Sequence, residues 1–437
     1  MSRLVVLGLS GALILLAGCG GTGNNGVDNG NGGGGGAGNT VALIVDSGPA
    51  GTGFNSVDTA FVTVTVCVPG TANCQNIDHV IVDTASTGLR ILKQGSSALT
   101  VPLNQVNTAG GPLVECAQFV SFFTWGPVMA ADVKMGGETA SNISIQVIGE
   151  ANTGFGTVPN ACQTSVPAGP FCTPSPGQQG CSADTLQTLG ANGIIGLNFF
   201  LQDCGPGCAA SASPGFYYVC PTASNCTQTT ATLAQQVSNP VASFAADNNG
   251  LLIQFPAIGN QGQATLGGTM TFGIGTQANN GLGGATVFTP DQFGNFTATC
   301  TNVSAACNGK SYPGSFIDSG STGIFFLTSA LTGLPDCGGQ NAGLYCPPAL
   351  VNLVATNHGS NNASKAVNFA AANANQLPGG DSAFNDLTGS NPTCFVSPGT
   401  MAPCFDWGLP FFFGRTVFVG LEQRNISGAG TGPIWAY

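Results

Sequence analysis

The 437-residue sequence predicts a mostly β protein built as two related lobes. Three observations lead there. Runs such as Val62-Thr63-Val64-Thr65-Val66 and Ile143-Ser144-Ile145-Gln146-Val147 alternate apolar and polar side chains, the period of a half-buried strand. Gly (67 residues) and Pro (26 residues), with Asn, punctuate the chain too often for long helices. A six-residue motif beginning at Asp83 returns at Asp318 with matching flanks. Helical signals are confined to two short stretches, residues 231–237 and 329–334, and the longest loops are expected between Cys162 and Cys226.

Charge narrows the function classes. Eight Lys and Arg against 19 Asp and Glu give a net charge of −11. The eight basic residues are scattered, so no surface could neutralise a phosphate backbone and nucleic acid is excluded as a partner. With 43% hydrophobic and only 6% charged residues, the chain has enough apolar surface to fold around a large core.

The first segment reads as an address. Arg3 precedes an apolar run from Leu4 to Leu16, and Leu16-Ala17-Gly18 leads into Cys19. The run is shorter than the ~20 residues that span a bilayer. Residues 1–18 are expected to be a lipoprotein signal peptide, with Cys19 as the lipidated first residue of the mature chain. An ordinary secretory signal with an incidental Cys is the alternative. Residues 19–39 carry that Cys and an almost pure Gly/Asn tether, which reaches roughly 25 Å at ~5–6 Å times the square root of its length. Gly20 after the Cys, in place of Asp, points to the outer membrane by analogy with other lipoproteins.

Without Cys19, sixteen of the 17 cysteines remain, an even number in an exported chain. Close neighbours are Cys67/Cys74, Cys172/Cys181, Cys204/Cys208, Cys220/Cys226, Cys300/Cys307, Cys337/Cys346 and Cys394/Cys404, leaving Cys116 and Cys162. Local disulfides are the expectation, though spacing does not fix connectivity. With two His and no Cys-x2-Cys pair, neither a metal nor a cofactor is expected.

The repeat carries the chemistry. Asp83-Thr84-Ala85-Ser86-Thr87-Gly88 and Asp318-Ser319-Gly320-Ser321-Thr322-Gly323 each follow an apolar strand-like run and lead into another. Each copy is followed by two bulky apolar residues and a Gly, Ile194-Ile195-Gly196 and Phe412-Phe413-Gly414. One such string is an ordinary solvated turn; two with matching context imply a duplicated lobe, each presenting one carboxylate on a tight turn. Two carboxylates within about 5 Å cannot both ionise cheaply and so share a proton.

These motifs resemble those of the pepsin-like aspartic proteases, and the chain as a whole resembles a family of bacterial lipoproteins with the duplicated motif. The likeness covers residues 40–437, although only the four short motifs are specific. It implies a bilobal acid-protease fold, with an N-terminal lobe over residues 40–275 and a C-terminal lobe over 276–437. Residues 264–268 then resemble the strand closing the first lobe, and residues 410–421 the penultimate strand of the second. Asp83 and Asp318 would be the catalytic dyad, one a general base for water and the other polarising the scissile carbonyl. Ser86 and Ser321 would hydrogen-bond the outer carboxylate oxygens. Thr84 and Ser319 would link the turns, and Gly320 would aim its N–H at Asp318. The implied partners are an extended peptide and, through Cys19, a membrane; the implied state is a monomer.

The chain departs from that pattern at several points. Ala85 stands where the first turn would have Gly, placing a methyl at the centre and calling for positive φ. No flap tyrosine is present; Phe123 or Trp125 could cover the cleft, or both could be core aromatics. Arg90 reads as a surface residue. No G-x-S-x-G or H-E-x-x-H motif offers another mechanism. Three readings follow: an acidic, lipid-anchored aspartic endopeptidase; an inactive pepsin-fold lipoprotein binding a peptide or other ligand; and a surface lipoprotein whose repeat is architectural only.

Overall fold

A computed structural model describes residues 38–94, 98–149, 154–166, 180–260, 262–390, 393–397 and 400–437. The leader, Cys19 and nearly all of the Gly/Asn tether lie outside them. Among the described residues, no helix is long and apolar enough to cross a membrane.

The fold is mostly β and two-lobed, with a shared antiparallel sheet joining the lobes. In it Thr40–Val45 pairs with Leu266–Phe272, which pairs with Gly250–Gln254. Gly250–Gln254 pairs with Thr416–Gly420, which pairs with Ile434–Ala436 and, through it, Val287–Phe288. Three of these strands precede residue 275 and three follow it. One continuous core runs beneath, including Val82 and Ile195 from the first lobe and Ile317 and Trp407 from the second.

Each lobe places its Asp the same way. In the first, Gly193–Leu197 inserts between Cys74–Asp83 and Thr87–Leu92, parallel to one and antiparallel to the other. Gly196 then lies opposite both Asp83 and Gly88, under the turn. In the second, Phe405–Trp407 inserts between Ser311–Ile317 and Ile324–Phe326 in the same sense. Trp407 pairs with Ile317, so Gly408 falls beneath Asp318. The counterpart of Gly196 is therefore Gly408, not Gly414. Residues Leu409–Phe412 form a 3-10 turn, and Gly414 follows it with φ of 74°. The last part of residues 410–421, Thr416–Gly420, is a strand of the shared sheet.

Both glycines are required by close backbone approach. A Cβ on Gly196 would lie 2.5 Å from Ser86 C and Thr87 N, and one on Gly408 2.0 Å from the Gly323 carbonyl oxygen. Because the obstacles are backbone, Gly196→Ala is expected to destabilise the fold by about 3 kcal/mol or more. Gly267→Ala, whose Cβ would meet nothing within 4 Å, should be near neutral. Urea denaturation of the two variants checks this, and equal midpoints would refute it.

The disulfides close short loops. Cys67–Cys74, Cys204–Cys208, Cys220–Cys226, Cys300–Cys307, Cys337–Cys346 and Cys394–Cys404 pair as neighbours, and Cys116–Cys162 takes the remaining two. Cys181 is disulfide-bonded, but Cys172 lies outside the described residues. Ser329–Thr332 is helical as expected; residues 231–237 are not, forming a turn around Thr232. Between Cys162 and Cys226 the chain carries strands and short helices as well as loops.

Candidate active site

Asp83 ends its strand, and the short turn after it folds its own amides onto the carboxylate, which Asp does readily. The N–H groups of Ala85 and Ser86 donate to Asp83 Oδ1 at 2.9 and 3.2 Å, and the Ser86 hydroxyl donates to Oδ2. The second turn repeats this: Gly320 N–H donates to Asp318 Oδ1 at 2.7 Å, and Ser321 Oγ lies 2.8 Å from Oδ2.

The two turns lock together reciprocally. The Thr84 hydroxyl donates to the Ile317 carbonyl at 3.1 Å and accepts the Ser319 N–H at 3.0 Å. The Ser319 hydroxyl donates to the Val82 carbonyl at 2.7 Å and accepts the Thr84 N–H at 3.1 Å. Four hydrogen bonds thus join the two turns and hold Asp83 and Asp318 close enough for the charge of one to act on the other. Burial, and then the Asp318 charge, hold the Asp83 carboxyl well above the ordinary range. Neither Asp has exposed surface.

Ala85 is accommodated without the expected strain, because it does not adopt positive φ. Its methyl packs against two clusters. One contains Phe119 and Phe122 of the first lobe; the other contains Phe316 and the Cys394–Cys404 disulfide of the second.

In the hairpin of Gly111–Gln118 and Phe123–Met135, where the sequence suggested a flap, Phe123 and Trp125 lie on the second strand and are buried rather than at the tip. Those side chains fill a small core with Tyr218, Val114 and Cys116–Cys162, and Trp125 Nε1 donates to the Phe155 carbonyl. The tip residues Phe119 and Phe122, joined by a 2.8 Å backbone hydrogen bond, are the ones that share a cluster with Ala85.

Arg90 is not on the surface. It is buried and paired with Glu115 at 2.5 Å and Asp203 at 3.3 Å. Its partners lie 25 and 113 residues away, on elements that only folding brings close.

Two further residues, absent from the expectations drawn from sequence, belong to the site. Asp406 is fully buried with Oδ2 2.7 Å from Ser321 Oγ, so that hydroxyl bridges two carboxyls. A hydroxyl has one proton, so one contact must be donated by a carboxyl. Burial first, then the Asp318 charge, raises Asp406 well above the usual range, which favours it as that donor. Asn198 accepts from the Thr87 hydroxyl at 2.6 Å and donates to the Ala85 carbonyl at 3.3 Å, bracing the first turn. Two residues beyond Gly196, it was a findable signal.

The arrangement suits proton sharing between two carboxyls. Among the described residues no group of three His, Cys, Asp or Glu gathers as a metal site.

An aspartic proteinase from Irpex lacteus is similar in structure, with a TM-score of 0.48 and 13% identity, covering 91% of this chain and 96% of that one. No curated protein matches the sequence. A family model matches residues 35–437, nearly the whole sequence, and the chain belongs to that family, described as "Protein of unknown function (DUF3443)".

Proposed function

We propose that the protein is an aspartic endopeptidase, held at the outer membrane through lipid on Cys19 and cutting extended peptides by a water activated between Asp83 and Asp318. The observation that carries this reading is the reciprocal hydrogen bonding of Thr84 and Ser319, which joins the two Asp-bearing turns. The protonated carboxyl donates to the scissile carbonyl oxygen while its ionised partner takes a proton from water; the transition-state charge is thereby spread over a buried pair. The turn amides and Ser86 hold the Asp83 oxygens fixed, so little reorganisation is needed as charge develops. Substrate reaches the dyad by displacing the hairpin tip at residues 119–122, whose Val120 is 38% exposed.

The complete burial of both carboxylates favours a second reading, a non-catalytic lipoprotein that uses the same cleft to hold a peptide. Digestion of a peptide library between pH 3 and 7 by the wild type and by Asp318→Asn separates the two. Acid-favoured cleavage that disappears in the variant supports the peptidase; equal products from both, or none from either, would overturn it.

A further inference from the structure

Arg90 begins beside the Asp83 turn and ends inside the flap hairpin. It lies on Thr87–Leu92, the strand that leaves the turn, and its Nη1 donates to the Thr87 carbonyl at 2.8 Å. Its Nη2 donates to Glu115 Oε1 at 2.5 Å, on the hairpin strand Gly111–Gln118, and to Asp203 Oδ2 at 3.3 Å. The guanidinium carbon sits 5.6 Å from the ring centre of Phe119, at the hairpin tip. One planar, always-charged group therefore touches the catalytic turn, the hairpin strand and the hairpin tip.

The surroundings hold that group in place. Tyr217 donates to Asp203 Oδ1 at 2.7 Å and accepts the Val237 N–H at 2.8 Å, fixing the second carboxyl. Gln146 donates to the Glu115 carbonyl at 2.9 Å and accepts from the Thr124 hydroxyl at 2.6 Å, fixing the strand. The Arg90, Glu115 and Asp203 side chains are at most 3% exposed. Two carboxyls face one guanidinium, and burial followed by the Glu115 charge pushes Asp203 well above the ordinary range. Buried ion pairs are poor sources of stability compared with apolar packing, and fixing one arrangement of two elements is their better-attested use.

We infer that Arg90 is a positioning residue that ties the flap hairpin, through Glu115, to the turn carrying Asp83. This rests on the peptidase reading for its kinetic consequence only; the mechanical tie stands or falls separately. Lysine cannot reproduce the two-pronged contact, so Arg90→Lys should free the hairpin while keeping the charge.

Hydrogen exchange of the full chain tests the tie. In Arg90→Lys, amides of residues 111–128 are expected to exchange about 10-fold faster, with Gly250–Gln254 and Thr416–Gly420 unchanged. Glu115→Gln, which keeps the size and one acceptor, should produce the same local pattern if Arg90→Lys does not fold. On a cleavable peptide, KM should rise about 10-fold with kcat within about twofold, because the hairpin holds substrate while the dyad is untouched. Unchanged hairpin exchange, or faster exchange spread evenly over both lobes, overturns the inference. Absence of cleavage by the wild type would sink the peptidase reading, and the exchange pattern would still decide the tie.

Discussion

Asp83→Asn and Asp318→Asn are each expected to lower kcat/KM by roughly 10³-fold or more, and the double variant to lose no more than either alone. On the proposed reading the two carboxyls act as one proton-sharing unit, so removing one removes the chemistry of both. The fold should survive. An Asn oxygen at position 83 can still accept the amides of Ala85 and Ser86, and the Thr84–Ser319 linkage uses no carboxylate. Stability gives a second readout in the opposite direction. The Asp318 charge is one of the causes raising Asp83, so a neutral residue at 318 relieves repulsion inside the protein. The Asp318→Asn protein should therefore melt higher at pH 7 while being inactive, the trade expected where a site stores unfavourable charge. A single variant with wild-type activity, or losses that multiply in the double variant, would show that the two residues do not function as a dyad.

The paired Asp turns were legible because their motif is short-range and repeated. Asp, a small hydroxyl residue, a small residue and Ser suffice to build the turn, and each copy supplies the context that identifies the other. Strands with strict alternation, such as the one over Val62–Val66, were legible for the same reason: their burial pattern is local. The second-lobe glycine was misplaced because Asp406 interrupts the apolar pair before Gly408, and Phe412-Phe413-Gly414 imitates the pattern a few residues on. A buried carboxylic acid next to the dyad is chemistry written over a packing motif, so the packing motif alone could not find it.

Other features depended on tertiary neighbours. Arg90 looks like a surface residue in isolation, and only the sheet brings Glu115 and Asp203 to it. Residues 231–237 have helical composition, but Val237 and Ser238 lie against Gly88, where a Cβ would stand 2.4 Å from Val237 Cγ1. That contact packs the end of the segment against the turn strand and limits it to a single turn, so tertiary packing overrides a weak propensity. Phe123 and Trp125 could not be assigned to lid or core until the register of the hairpin put the turn at residues 119–122.

The melting temperature should fall as pH rises from 4 to 8. Five buried carboxyls carry this. Burial is the largest cause of the upward shift in each of Asp58, Asp83, Asp203, Asp406 and Asp386, and the last is pushed up to about 6. Each is protonated in the folded chain at a pH where the unfolded chain has released its proton. Stability from such a group is fully present below the ordinary Asp value of ~3.9 and is lost as pH climbs through the folded value. His79 acts in the same direction. It lies 3.4 Å from Asp46 and 3.1 Å from Asp78, which raise its pKa, so its contribution also fades as pH rises through the folded value. Asp46 opposes them: its hydrogen bond to His79 lowers it, and its contribution disappears on the acid side. The five contributions share one sign and add, so the decline is expected to reach several degrees. Thermal melts at constant ionic strength measure it, and Asp203→Asn and Asp406→Asn should each flatten the slope by removing one contributor. A melting temperature that is level or rising over this interval would mean that these acids are ionised in the folded protein, and the proton-sharing argument for Asp83 and Asp318 would fall with it.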